Sequence, residues 1–229
     1  MRSQSDGGIW VVVPAYNEAR VIASVISELK REAHRIVVVD DGSSDSTAEV
    51  AAECSALVLR HSINLGQGAA LQTGIEFALS RGAELIVTFD ADGQHRIADI
   101  GRLIEALKAD RADFALGSRF LGSAVNMPIL RRMLLRAATL FTRLTTGLAL
   151  TDAHNGLRAM TRRGALHIRL RQNRMAHASE ILGQIAASGL KFVEVAVTIE
   201  YSHYSLAKGQ RSGDFLVILL DLFARRLHP

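Results

Sequence analysis

The chain has 229 residues, of which 48% are apolar and 22% charged, with a formal net charge of +4 at neutral pH. These values are typical of one folded domain, and they exclude collagen-like, disordered and low-complexity proteins. The single cysteine, Cys54, excludes an internal disulfide, and no zinc-finger spacing is present.

The first half of the chain alternates apolar runs with amphipathic segments. Buried parallel strands are predicted at residues 9–14, 35–40, 56–60, 84–90 and 113–118. Helices are predicted between them at 18–31, at 68–80, at 97–108 and from an N-cap at Ser43 or Ser44 to Cys54. This alternation with short loops predicts an α/β fold in which helices cover both faces of a mostly parallel sheet.

The pattern changes from Pro128 onward. Residues 128–150 form a long amphipathic helix pattern, with arginines in one arc of about 140° and apolar residues in the opposite arc. The ordinary interpretation packs the apolar arc on the core and leaves the arginines in solvent. A helix at 177–188 and an alternating strand at 191–201 follow. Residues 213–229 are predicted as a C-terminal amphipathic helix, and the whole of 1–229 as one domain.

The charge is unevenly distributed along the chain. Residues 1–113 carry 11 basic and 17 acidic residues, whereas residues 114–179 carry 11 arginines and one acid, Asp152. Such an asymmetry favours an anionic partner for the middle segment. The isoelectric point of the sequence, about 9.6, would also be compatible with binding to nucleic acid. We nevertheless expect that the protein does not bind nucleic acid.

Carboxylates follow two of the predicted strands. Asp40 and Asp41 end the second strand, and Asp90 and Asp92 end the fourth. Ligands of open α/β sheets bind outside the carboxyl ends of the strands. Two carboxylates there can hold Mg²⁺ or Mn²⁺ together with substrate phosphates, although strand-end aspartates also cap helices.

Four histidines are predicted to have structural roles or to lie at the surface. We expect His95 to be a structural hydrogen-bonding residue rather than a metal ligand. His154, His167 and His177 are expected at the surface.

A glycine-containing segment, NLGQG at 64–68, follows the third strand and opens a helix. Such a helix start favours anions and lets the backbone approach a ligand closely. The third glycine of a dinucleotide fingerprint is missing, and the chain has no P-loop sequence. NAD, FAD and P-loop nucleotide binding are therefore excluded.

Five motifs occur in the order found in family 2 glycosyltransferases, which have the nucleotide-diphospho-sugar transferase (GT-A) fold. They are VVVPAYNE (11–18), VVVDDGSSDST (37–47), NLGQGAAL (64–71), TFDADGQH (88–95) and GSRF (117–120). DAHNGLRA (152–159) and YSHYSLAKGQ (201–210) resemble segments of the dolichyl-phosphate mannosyltransferase-like branch, whose members use polyprenyl phosphates. The similarity covers about residues 9–212.

The resemblance implies a role for each matched residue. The residues implied in nucleotide-sugar binding are Pro14, Tyr16, Glu18, Asp40, Asp41, Asn64, Gly68, Asp90, Ala91, Asp92 and Gln94. Asp90, Asp92 and Gln94 are implied as metal ligands, and Asp92 and Asp152 as catalytic residues. Arg119, Arg158, Ser205 and Lys208 are implied in binding the acceptor and its phosphate. Residues 1–120 would then form a nucleotide-sugar-binding half and 121–212 an acceptor-binding half.

The implied reaction moves a sugar from a UDP- or GDP-linked donor to a polyprenyl phosphate, with inversion. A phosphate acceptor suits the arginine-rich segment independently, because it is already ionised and needs positioning by positive charge. A sugar hydroxyl acceptor would need a base, and Asp152 is either a base or an orienting residue. The alternatives are a transferase to a sugar hydroxyl, a sugar-nucleotide nucleotidyltransferase and a catalytically silent scaffold.

Two segments suggest that the protein contacts a membrane. The arginine-bearing helix at 128–150 has a basic face that anionic lipid attracts. The broad apolar surface of helix 213–229 suits the core, a homodimer face or a helix lying in a membrane interface. With no signal-peptide-like or spanning segment, we expect a cytoplasmic protein peripheral to the inner membrane face, or one that uses a membrane-protein partner.

Overall fold

Seven strands form one sheet in this computed structural model, which describes residues 8–32, 35–172 and 177–201. The strands are β1 (Ile9–Ala15), β2 (Arg35–Asp40), β3 (Leu57–Arg60), β4 (Leu85–Thr88), β5 (Phe114–Val125), β6 (Arg158–Thr161) and β7 (Phe192–Glu200). Their order across the sheet is β3-β2-β1-β4-β6-β5-β7. Only β6 runs antiparallel to its neighbours, β4 and β5, which confirms the mostly parallel sheet within the described residues. Ser205, Lys208 and the predicted helix 213–229 lie outside the described residues.

Helices cover both faces of the sheet, as predicted. They are α1 (Ile22–Arg31), α2 (Thr47–Glu53), α3 (Gln67–Ser80), α4 (Ala98–Asp110), α5 (Ile129–Thr146), α6 (Arg162–Leu166) and α7 (His177–Ser188). Because side chains of a strand alternate between faces, β1 serves two cores. Val11 and Val13 pack with α1 and α4, whereas Trp10 and Val12 pack with α3 and α7.

The start of α2 corrects one prediction. The N-cap is Ser46, without a side-chain capping bond, rather than Ser43 or Ser44. The Ser43 hydroxyl instead accepts a hydrogen bond from the Asn17 backbone N–H at 2.9 Å. The Ser44 backbone N–H donates to the Asn17 side-chain oxygen, also at 2.9 Å. The two serines therefore join the loops after β1 and β2.

Helix α5 corrects a second expectation. Its protein-facing residues are Leu135, Ala138, Thr139 and Thr142, which are all buried. Most of the apolar arc that would ordinarily pack on a core faces solvent, where Met133, Leu140 and Leu144 are exposed. The rest of the arc, Leu134, Phe141 and Leu148, is half-buried. The helix is turned so that a narrow stripe of small and polar residues makes the packing contact.

Candidate active site

A cavity of about 640 Å³ lies at the carboxyl ends of β1, β2 and β4. This is the usual size of a small-molecule site, and the position is the expected one for an open α/β sheet. Among the predicted residues, those lining it are Pro14, Tyr16, Glu18, Asp41, Asn64, Asp90, Ala91, Asp92, Gln94, Arg119 and Arg158. The fold therefore brings together most of the residues that the motifs single out.

The loops on one side of this cavity are tied to one another. The Glu18 backbone N–H donates to the Thr47 hydroxyl at 2.8 Å. The Asp41 carboxylate accepts from the backbone N–H groups of Leu65 at 3.0 Å and Gly66 at 2.6 Å. Because these bonds join residues 24 to 29 positions apart in the sequence, the loop positions are set before any ligand arrives.

Two predicted nucleotide contacts lie outside the cavity lining. Asp40 is fully buried, with its carboxylate 3.1 Å from the Arg60 guanidinium and accepting from the Ser43 N–H. A Cβ atom on Gly68 would lie 2.0 Å from the carbonyl oxygen of Gln172. The glycine is therefore required for close packing against that carbonyl, and Gly66 and Gln67, at the start of α3, line the cavity instead.

Asp90 is held on three sides. The Gln67 amide donates to one carboxylate oxygen at 2.9 Å, and His95 Nε2 lies 3.0 Å from the other. A Cβ on Gly156 would lie 2.0 Å from that second oxygen, so only glycine fits there. Burial by itself raises the pKa of Asp90, but the His95 hydrogen bond and the charges of His95 and Arg158 bring it below its ordinary value. Asp90 is thus a fixed negative charge, and His95 has the expected structural role.

Asp92 has the opposite tendency. Burial, followed by the negative charge of Asp90, raises the pKa of Asp92 to about 6. The backbone N–H and the amide of Gln94 donate to its carboxylate at 3.0 and 2.7 Å. Two half-buried carboxylates that repel each other are a suitable place for a cation.

The donor set fits a hard divalent cation. Asp90, Asp92 and Gln94 offer carboxylate and amide oxygens, which Mg²⁺ and Mn²⁺ accept. No group of three or more histidine, cysteine or acidic residues suited to a metal occurs in the described ranges. These residues would therefore hold such an ion only in part, with the other ligands supplied by substrate phosphates and water.

Arg119 is a buried arginine with every side-chain nitrogen in use. Its Nε donates to Asp152 at 2.6 Å, Nη1 to the Tyr201 hydroxyl at 2.6 Å and Nη2 to the His154 carbonyl at 2.7 Å. Burial would lower the pKa of Arg119, but Asp152 and Tyr201 raise it. Asp152 itself lies behind Arg119 and outside the cavity lining, which favours an orienting residue over a base.

Arg158 is the contrasting case. It is buried in the cavity wall, yet its guanidinium makes no hydrogen bond or ion pair with the described part of the chain. Burial lowers the pKa of Arg158 to about 10, with the negative charges of Asp90 and Asp152 opposing that shift. Its position comes from β6, which pairs Arg158 with Thr88, two residues before Asp90. The cavity thus contains a positive charge available to an anionic ligand.

Several lining residues were absent from the sequence prediction. Gln67, Arg131, His154, Gly156 and His177 all line the cavity. The surface assignment of two histidines is wrong, since His177 is buried and His154 is half-buried in the cavity wall. Burial lowers the pKa of His154 to about 4. Gln67, His154 and Gly156 lie within the recognised motifs, which was a usable signal.

Arg131 and His177 had no comparable local signal. The Arg131 guanidinium lies 4.9 Å from the Tyr201 ring centre, on the inward side of α5. Only the packing of α5 and α7 brings these two residues to the site.

Comparison with known proteins identifies the family of this chain. The sequence model described as glycosyl transferase family 2 matches residues 10–168. Over 227 residues the chain is 32% identical to the UDP-N-acetylglucosamine–dolichyl-phosphate N-acetylglucosaminyltransferase of Methanococcus voltae, covering 90% of each chain. It is 34% identical over 160 residues to the undecaprenyl-phosphate mannosyltransferase of Micrococcus luteus, covering 66% of this chain and 65% of that protein.

A solved structure shares the fold. Glucosyl-3-phosphoglycerate synthase from Mycobacterium tuberculosis, in complex with Mn²⁺, UDP-glucose and phosphoglyceric acid, superposes with a TM-score of 0.65. The two sequences are 19% identical, and the match covers 85% of this chain and 71% of that one. The expected α/β fold is thereby confirmed.

Proposed function

The chain belongs to glycosyl transferase family 2, and we propose that it transfers a sugar from a UDP- or GDP-linked donor to a polyprenyl phosphate at the cytoplasmic membrane face. One observation carries this proposal: a single cavity contains both the neighbouring carboxylates Asp90 and Asp92 and the buried arginine Arg158, which has no ion-pair partner in the described part of the chain. The names of the two relatives, which specify dolichyl phosphate and undecaprenyl phosphate acceptors, support it.

The donor is assigned to the acidic side of the cavity. Asp90, Asp92 and Gln94 would hold Mg²⁺ or Mn²⁺, which when bound neutralises the charge of the leaving diphosphate. Pro14, Tyr16 and Glu18 line the part of the cavity next to the tied loops, where the nucleotide would bind. Residues 1–120 would thus supply the donor half.

The acceptor phosphate is assigned to the arginine side. Arg158 has no hydrogen-bond or ion-pair partner among the described residues, and Arg131 lines the same cavity. Both arginines can therefore bind a phosphate through charge-assisted hydrogen bonds. Arg119 and Asp152 hold each other and keep the wall behind that phosphate in place. The acceptor half would extend over residues 121–212.

The reaction then needs little proton transfer. An acceptor phosphate oxygen forms a bond to the anomeric carbon while the bond from that carbon to the diphosphate oxygen breaks, and the diphosphate leaves with the electron pair. Attack from the face opposite the leaving group inverts the anomeric carbon. The acceptor phosphate is largely ionised at neutral pH, so no general base is required.

The experiment that tests this proposal supplies both substrates. Purified protein is incubated with radiolabelled UDP-glucose, UDP-N-acetylglucosamine or GDP-mannose, a polyprenyl phosphate, and Mn²⁺ or Mg²⁺. We expect one donor to give an acid-labile, lipid-extractable sugar, and no product when the metal is chelated. Labelled product only with hydroxyl acceptors would support the alternative transferase and contradict the phosphate acceptor. Formation of a sugar nucleotide from a nucleoside triphosphate would instead identify a nucleotidyltransferase.

A further inference from the structure

One surface of the described chain is apolar and faces solvent. The outward stripe of α5 is defined here as Ile129, Leu130, Met133, Ala137, Leu140 and Leu144. Its five large side chains are exposed by 56 to 79%. At roughly 100° of rotation per residue, the six positions form one continuous strip along the helix. Soluble proteins seldom expose so many apolar side chains together without a partner.

A row of arginines borders this stripe. Arg132, Arg136 and Arg143 are exposed and occupy the adjoining edge of the helix. The Arg136 guanidinium lies over the Phe120 ring, 5.5 Å from its centre. Helix α5 contains no acidic residue, so its whole outward surface is apolar or positive.

The orientation of α5 is set from its inner side. Thr139 accepts a hydrogen bond from the Ala153 backbone N–H at 3.2 Å, next to the buried Leu135, Ala138 and Thr142. Arg131, on the same inward side, lines the active-site cavity. The outward stripe therefore lies on the opposite side of α5 from the cavity-lining Arg131, on a helix that the rest of the fold holds in place.

We propose that the outward stripe of α5 and its arginine row dock on an anionic bilayer surface, with α5 lying in the plane of the membrane interface. The stripe would enter the acyl boundary while the arginines meet lipid phosphates. No helix in the described ranges is long and apolar enough to cross a membrane. The assignment extends the proposed function, whose acceptor is a lipid, and rests on it for the meaning of the docking.

Charge distinguishes a bilayer from a second copy of the chain. Two copies packed antiparallel through the outward stripe would bring their arginine rows to the same edge of the interface. In a parallel packing the rows would lie on opposite edges, and in either arrangement α5 offers no carboxylate to pair with them. An anionic lipid surface supplies negative charge along the whole edge of the helix. Charge complementarity therefore favours lipid.

Vesicle co-sedimentation of the full chain tests the docking. The protein is mixed with vesicles of phosphatidylcholine alone or of phosphatidylcholine with phosphatidylglycerol. Leu140→Ser/Leu144→Ser should lower partitioning at least roughly tenfold. Its matched control, Leu57→Ser/Leu166→Ser, removes two leucines that are each 49% exposed on β3 and α6, and should bind as the unchanged protein does.

A second pair of variants tests the arginine row. Arg136→Gln/Arg143→Gln should reduce binding to the anionic vesicles roughly tenfold and leave the weak binding to phosphatidylcholine unchanged. Lys30→Gln/Lys108→Gln, two exposed residues elsewhere, removes the same net charge and should change binding little. Circular dichroism melts confirm that each variant is folded.

Three results would overturn the docking surface. They are absence of vesicle binding by the unchanged protein, unchanged binding of Leu140→Ser/Leu144→Ser, and light scattering that shows a lipid-free dimer which this variant dissociates. The last result would assign the stripe to a second copy.

A transfer assay separates docking from chemistry. With a short, water-soluble prenyl phosphate, Leu140→Ser/Leu144→Ser should retain the full rate, whereas with a long-chain acceptor embedded in vesicles its rate should fall. If no phosphate acceptor is glycosylated by any form of the protein, the proposed function fails while the sedimentation result still decides the docking.

Discussion

The two sides of the cavity carry opposite charges: carboxylates line the acidic side and arginines line the other. On the acidic side, Asp90 and Asp92 repel each other, and the pKa of Asp92 rises to about 6. On the arginine side, Arg119 is neutralised by Asp152, whereas buried Arg158 has no ion-pair partner within residues 8–32, 35–172 and 177–201. Each side thus contains one charge that the protein satisfies by itself and one that it leaves for a ligand. A bound metal and nucleotide diphosphate would complete the first, and an acceptor phosphate the second.

The largest effect is expected at Asp92. Asp92→Asn should lower sugar transfer by roughly a thousandfold, because it removes the carboxylate whose charge is left for a cation. The circular dichroism melt should remain cooperative, since the amide fits the same space. The readout is lipid-extractable product per minute. Full activity in this variant would contradict the assignment of Asp92 as a metal ligand.

The sharpest test compares the two buried arginines. Arg119→Met should lower the free energy of unfolding by about 3–5 kcal/mol, because it leaves Asp152 as an uncompensated buried charge. Arg158→Met should change that free energy by only about 1 kcal/mol or less, since none of the described residues forms a hydrogen bond or ion pair with its guanidinium. The Arg158 variant should nevertheless lose roughly a hundredfold in transfer. Urea unfolding and the transfer assay measure both quantities, and equal destabilisation by the two variants would contradict the contrast.

A smaller loss is expected where the backbone supports Asp90. Gly156→Ala should reduce transfer by roughly 10- to 100-fold, because its Cβ would meet the Asp90 carboxylate at 2.0 Å and displace it. Gly183→Ala is the matched control, since nothing lies within 4 Å of a Cβ added there in α7. Unchanged activity in Gly156→Ala would show that the position of Asp90 is not critical.

The smallest effect concerns acid stability on the arginine side. The pKa of His154 falls from 6.5 in the unfolded chain to about 4 in the folded chain. Between pH 6.5 and pH 4 the unfolded chain therefore binds a proton on His154 that the folded chain does not bind. Stability should therefore decrease as pH falls from about 6.5 towards 4. His154→Asn should remove about 1–2 kcal/mol of that decrease. Urea melts at pH 7 and pH 4.5 measure it, with exposed His167→Asn as the control that should leave the difference unchanged.

The acidic side was largely readable from the amino-acid sequence. Apolar runs such as residues 35–40 predicted the parallel strands, and the carboxylates after them predicted a ligand site at that edge of the sheet. Those patterns are local, because burial on both faces of a strand requires consecutive apolar residues. The motif similarity added the identities of the lining residues Glu18, Asp41, Asp90 and Asp92.

The arginine side was decided by tertiary structure. The short antiparallel strand β6, absent from the prediction, places Arg158 beside the end of β4. Arg119 forms an ion pair with Asp152, which lies 33 residues later in the sequence, and so supports the cavity wall. The charge of Arg158 has no such partner among the described residues. The amphipathic pattern of α5 was visible in the sequence, but the face it buries was not. Periodicity is determined within a few turns of chain, whereas the partner of a charge or a helix face depends on segments that meet only when the whole fold forms.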